Sequence, residues 1–133
     1  MEPNGTERKI HVLLVEDELL ISEWVAQSLA EQGFAVQTAA NAADALEHLV
    51  ADDVDILLTD INLPGSMDGV TLARRARELR PSIPVVYASS RATMLSPDAR
   101  VPGAIILPKP YEPALLGRLL TAAMHYAASH SPV

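Results

Sequence analysis

Short apolar runs alternate along the chain with longer stretches in which apolar residues recur every three or four positions. The first run, Ile10 to Val15 (IHVLLV), is mostly apolar and β-branched, the pattern of a strand buried on both faces. Glu18 to Gln32 then carries Leu20, Ile21, Trp24, Val25, Ser28 and Leu29 at helical spacing. Gly33 stands where a helix C-terminal glycine belongs. Phe34 to Ala39 predicts a second strand, and Asn41 is placed to cap a helix through Ala45, Leu46, Leu49 and Val50. Asp55 to Ile61 (DILLTDI) predicts a third strand. Pro64 and Gly65 mark the loop from Leu63 to Met67, and Asp68 to Arg80 is helical in spacing. Pro84 to Ala88 and Ala104 to Leu107 predict the fourth and fifth strands. A last helix is expected over Glu112 to Ala128, with Leu115, Leu116, Leu119, Leu120 and Met124.

Between the last two strands the pattern is least regular. Ser96-Pro97-Asp98 has the form of a helix start, a cap followed by proline at the first helical position. Pro102 limits that helix to about one turn, so the fourth helix is expected to be short or irregular. Strand and helix alternate five times. Buried strands with helical crossovers imply an α/β fold whose parallel sheet is covered on both faces. Right-handed crossovers give a doubly wound five-stranded sheet, flavodoxin-like, in the order 2-1-3-4-5. The domain is expected over residues 10–128, with 1–9 a flexible lead-in and 129–133 a frayed tail. In such folds ligands bind beyond the carboxyl ends of the strands, where the first and third strands meet.

Composition narrows the classes. The 133 residues suit one domain. No cysteine is present, which excludes disulfides and thiolate metal sites and fits a cytoplasmic location. No apolar run approaches the roughly 18 residues of a membrane helix, and the polar start of the chain is not a secretory signal. A net charge of −7 disfavours a nucleic-acid backbone as partner.

Charge gains meaning from where it falls. The first strand ends in Glu16-Asp17-Glu18, the third in Asp60 followed by Asn62, the fourth in Ser89-Ser90 and the fifth in Pro108-Lys109-Pro110. The fold brings these to one edge. Crowded carboxylates raise a pKa or bind a cation, and oxygen donors without His or Cys favour Mg²⁺ or Mn²⁺. A lysine alongside suits a phosphoryl group, and a carboxylate can itself act as nucleophile. Each residue taken alone has an ordinary explanation. Glu16 and Glu18 are acids at a helix start, Asp60 and Ser89 are turn formers, and Lys109 is a loop charge. Four segments converging on one edge favour the joint reading.

LLVEDE (Leu13 to Glu18), LLTDINLPGSMDG (Leu57 to Gly69), PVVYASS (Pro84 to Ser90) and LPKPY (Leu107 to Tyr111) together resemble the receiver domain of bacterial two-component response regulators. The resemblance covers roughly Lys9 to Ala127. It implies that Asp60 is the phosphoacceptor and that Glu16 and Asp17 are the acidic pair, with Asp17 in direct metal contact. It implies further that the backbone carbonyl of Asn62 is a third metal ligand, that Ser89 and Lys109 hold the phosphoryl oxygens, and that Lys109-Pro110 is cis. The implied cofactor is Mg²⁺, with Mn²⁺ a substitute. The implied partners are a histidine kinase or histidine phosphotransfer protein and an unknown downstream protein, the chain being a monomer or a phosphorylation-dependent homodimer. On this reading it is a stand-alone response regulator rather than an enzyme, signalling by docking or phosphorelay. The motifs depart from the family at Ile106, where an aromatic switch residue is usual, and in LPGSMDG, one residue longer than the common loop. Two other readings remain open. One is a phosphorylation-independent, receiver-like binding module. The other is an aspartyl phosphohydrolase, which would need an acid at position 62, where the chain has Asn62. The edge of the last helix between Tyr111 and Tyr126 is a candidate docking face.

Overall fold

The computed structural model describes residues 8–90 and 95–129. The expected lead-in up to residue 7, residues 91–94 and the tail from residue 130 lie outside the described residues. The chain order is β1 (His11–Val15), α1 (Leu19–Glu31), β2 (Ala35–Ala39), α2 (Ala42–Ala51), β3 (Ile56–Asp60), α3 (Gly69–Leu79), β4 (Val85–Ser89), β5 (Ile105–Pro108) and α4 (Pro113–Ser129). All neighbouring strands run parallel in the order β2-β1-β3-β4-β5, as the alternation predicts.

The continuous apolar runs of the strands follow from two-sided burial. Successive side chains point to opposite faces of a sheet. Leu13, Val15, Leu57, Val85 and Tyr87 face one core, beneath α2 and α3. Val12, Leu14, Ile56, Leu58, Val86 and Ala88 face the other, beneath α1 and α4. Local signals set the helix ends. The Asn41 side chain accepts from the Asp44 amide at 2.8 Å, and Asp68 accepts from Thr71 at 2.8 Å, each satisfying an orphan donor of the first turn. Gly33 takes φ +99°, a left-handed conformation that glycine adopts without steric cost.

Four helical stripes need correction. Leu20 and Trp24 point outward, 80% and 59% exposed, whereas Val25 and Leu29 are buried. Leu20 and Trp24 form their own i, i+4 row, rotated about 100° from the row of Ile21, Val25 and Leu29 that meets the sheet. On α4, Leu116 and Leu120 are buried and Leu115 faces out. On α2 and α3, Val50 and Leu79 likewise sit at the exposed margin.

The segment between β4 and β5 is irregular, as expected. Its described part forms a turn in which the Ala99 amide donates to the Ser96 carbonyl at 3.1 Å. Leu95, Ala99 and Val101 pack over the core in place of a regular helix. Two bonds hold it. Val101 donates its amide to the Tyr87 hydroxyl at 3.1 Å, and Arg74 of α3 donates to the Ala99 carbonyl at 3.0 Å.

Candidate functional site

The strand registers align the carboxyl edge. Val15 lies opposite Thr59, Asp60 opposite Ala88, and Ser89 opposite Pro108. Glu16, Asp60, Ser89 and Lys109 therefore arrive at one level from four strands. The Lys109 amide donates to the Ser89 carbonyl at 3.0 Å, continuing the pairing past β5. The Lys109-Pro110 peptide is cis.

Glu16, Asp60 and Ser89 are buried, while Asp17 and Asn62 are exposed. Lys109 lies between the two buried carboxylates, with Nζ 2.9 Å from Glu16 Oε1 and 2.7 Å from Asp60 Oδ1. The second Glu16 oxygen accepts the Glu18 amide at 3.0 Å, which fixes the carboxylate at the start of α1. Behind Asp60 the packing is close. The Gly69 amide donates to the Ile61 carbonyl at 2.7 Å. A Cβ on Gly69 would collide with the Asp60 backbone carbonyl.

The electrostatics follow from this geometry. Burial pushes the Asp60 carboxyl up to about 6; Lys109 opposes this and the Glu16 charge adds to it. Glu16 moves the other way. Its burial cost is outweighed by the Glu18 amide and Lys109, which hold it below the ordinary carboxylate range. Burial pulls the Lys109 ammonium down, but hydrogen bonds to Asp60 and Glu16 raise it well above an ordinary lysine. The site thus holds two carboxylates against one ammonium, with the exposed Asp17 beside them.

Glu16, Asp17 and Asp60 each offer an oxygen, and these oxygens lie within 4.8 Å of one another. The donor set is wholly carboxylate, hard and partly exposed, which fits Mg²⁺ or Mn²⁺. The structure brings together Glu16, Asp17, Asp60 and Lys109 as the sequence predicts, and sets Ser89 in the adjoining strand end. Asn62 lies exposed two residues beyond Asp60.

Two neighbours of the site, Tyr111 and Gly69, stand in the motifs with no site role given to them there. Burial raises the Tyr111 phenol to about 12, and it lies in the field of Lys109, Glu16 and Asp60. It therefore belongs to the surroundings of the site as well as to the α4 margin. Gly69 is required by close approach to the Asp60 backbone, a contact made only when the loop between them folds back.

A parallel 2-1-3-4-5 sheet with acids and a lysine on its carboxyl edge defines a receiver fold. The family description "Response regulator receiver domain" matches residues 12–120, and the chain belongs to that family. It is a receiver domain of the two-component signalling class. It is 36% identical over 102 residues to the response regulator receiver protein CpdR of Brucella abortus (strain 2308), spanning 75% of this chain and 84% of that one. It is 32% identical over 127 residues to the DNA-binding transcriptional regulator NtrC of Escherichia coli (strain K12), spanning 91% of this chain but 26% of NtrC. Among solved structures, a response regulator receiver protein from Sinorhizobium medicae WSM419 superposes with a TM-score of 0.84 at 31% identity, covering 90% of this chain and 98% of that one.

Proposed function

We propose that the protein accepts a phosphoryl group from a histidine kinase, or from a histidine phosphotransfer protein, onto Asp60 and signals by docking or by onward phosphorelay in the cytoplasm. The carrying observation is the arrangement around Asp60, a buried carboxylate 2.7 Å from Lys109 and clustered with Glu16 and Asp17.

In this reading an Asp60 oxygen attacks the phosphorus of a phosphohistidine in line. The new O–P bond forms as the N–P bond breaks, and the imidazole nitrogen leaves with its electron pair. Lys109, already beside Asp60, offsets charge on the transferred group. The Ser89 hydroxyl, at the end of the neighbouring strand, is assigned to hydrogen-bond a phosphoryl oxygen. Glu16 keeps Lys109 in place through the 2.9 Å pair. Glu16, Asp17, Asp60 and the backbone carbonyl of Asn62 are assigned to hold Mg²⁺, or Mn²⁺ in its place, which supplies charge neutralisation to the phosphoryl oxygens when bound. The chain is then a phosphoacceptor signalling protein rather than an enzyme with a separate substrate. Its partners are the phosphohistidine donor and a downstream protein. Neither a nucleic acid nor a membrane is assigned to it, and no helix among the described residues is long and apolar enough to cross a membrane.

The test is phosphotransfer from candidate histidine kinases. Native protein should take label from a cognate kinase in Mg²⁺, and Asp60→Asn should take none. Undiminished labelling of Asp60→Asn would overturn the assignment.

A further inference from the structure

Far from the carboxyl edge, the amino-terminal segment and α4 enclose a groove of about 900 Å³. Among the described residues its lining includes Arg8, Lys9, Arg118 and His125 and no acidic residue, on a chain whose net charge is −7. We propose that this groove binds an acidic segment of a partner protein, independently of the chemistry at Asp60.

The positive side is built rather than loose. Asp55 grips the Arg8 guanidinium at 3.0 and 3.1 Å and also accepts the His11 amide at 2.8 Å. The backbone carrying Lys9 is thereby tied at both ends to the start of β3. Asp55 neutralises Arg8. The ion pairs among the described residues leave Lys9 and Arg118 uncommitted. The last turn of α1 brings little negative character, because the carbonyls of Ser28, Leu29 and Ala30 already accept the amides of Gln32, Gly33 and Phe34.

The layout selects the ligand. Arg118 and His125 lie seven residues apart on α4, about 10 Å along its axis, with Thr121 between them. Carboxylates two or three residues apart in an extended segment are spaced by roughly 7–10 Å. The Arg118–His125 row on α4, with Lys9 contributed by the amino-terminal segment, suits a peptide with several acidic residues. A single phosphate needs donors that converge on one point. The apolar floor of Ile10 and Phe34 gives room for an apolar side chain between the acids.

Calorimetric titration of the intact chain with hexaglutamate at low salt, beside inorganic pyrophosphate, tests this. Saturable hexaglutamate binding is expected, weakening with added salt and falling by about tenfold or more in the Lys9→Glu, Arg118→Glu double variant. Both side chains are exposed, so the fold, followed by circular dichroism, should persist. Amide shifts on binding should concentrate at 8–10, 32–34 and 117–125. Asp60→Asn should bind equally, which separates this proposal from the phosphoacceptor reading. Three results would overturn it: no saturable binding, binding unchanged in the double variant, or pyrophosphate matching hexaglutamate at these residues, which would mark a small-anion site.

Discussion

Lys109 touches two buried carboxylates at once, and that single contact organises the site. Removing it should leave Glu16 and Asp60 facing one another with no cation between them. Lys109→Ala is expected to bind Mg²⁺ at least as tightly as the native protein, while losing the spectral change on phosphorylation. Titration before and after treatment with a small-molecule phosphodonor checks both, and an unchanged phosphorylation response in the variant contradicts the role given to Lys109. The Asp60 carboxyl makes a second prediction. Its value is raised from 3.8 to about 6, so between roughly pH 4 and pH 6 the folded chain keeps a proton that the unfolded chain has released. The contribution of this group to stability therefore declines as pH rises through that window and stays low above it. In chelator, the melting temperature of Asp60→Asn relative to the native protein should climb from pH 4 to pH 7. A constant or falling difference would show that Asp60 is not desolvated in this way. Asp60 was legible in the sequence because it ends a buried strand. The need for Gly69 behind it was not, because only the folded chain brings those backbones together. Gly69→Ala should cost about 1–3 kcal/mol by overpacking and should slow labelling of Asp60.

At the scale of elements, the irregular connection after β4 departs most from a regular doubly wound fold. Pro102 already signalled it, since proline does not support a helix interior. What holds the segment was not readable. The Tyr87–Val101 and Arg74–Ala99 bonds join residues 14 and 25 apart, with no local motif to mark them. Tyr87 is fully buried on β4, in register with Ile106 and two residues before Ser89. Its hydroxyl is thus the anchor for a loop that begins at the site. Tyr87→Phe keeps the ring but orphans the Val101 amide, with an expected cost of about 1–3 kcal/mol. Hydrogen exchange at Val101 should accelerate in the variant; unchanged protection would mean that packing and the Arg74–Ala99 bond hold the loop without the Tyr87 hydroxyl. The helices teach a related lesson. Their existence was legible from spacing, but the facing of Leu20, Trp24 and Leu115 was not. A row of apolar residues four apart fits two neighbouring stripes, and only docking on the sheet chooses between them.

Over the whole molecule, fold order and site share one physical origin. Alternating buried runs and amphipathic stretches demand a covered parallel sheet, and a covered parallel sheet places its strand ends at one edge. The carboxylates and lysine were legible as a group only through that geometry, since each alone has an ordinary explanation. The basic groove on α4 was not legible, because Lys9 and Arg118 are 109 positions apart in a chain with an acidic total. The chain spans 84% of CpdR but about a quarter of NtrC, so relatives use this domain both in short proteins and within longer ones. The proposed reaction is phosphoryl transfer to Asp60 with a divalent cation held by its acidic neighbours. Intact mass after incubation with a small-molecule acyl phosphate tests it most directly. The added mass of one phosphoryl group is expected, present with Mg²⁺, absent with chelator, and mapping to Asp60 after hydride trapping. Modification that is indifferent to Mg²⁺, or that maps to another residue, would contradict it.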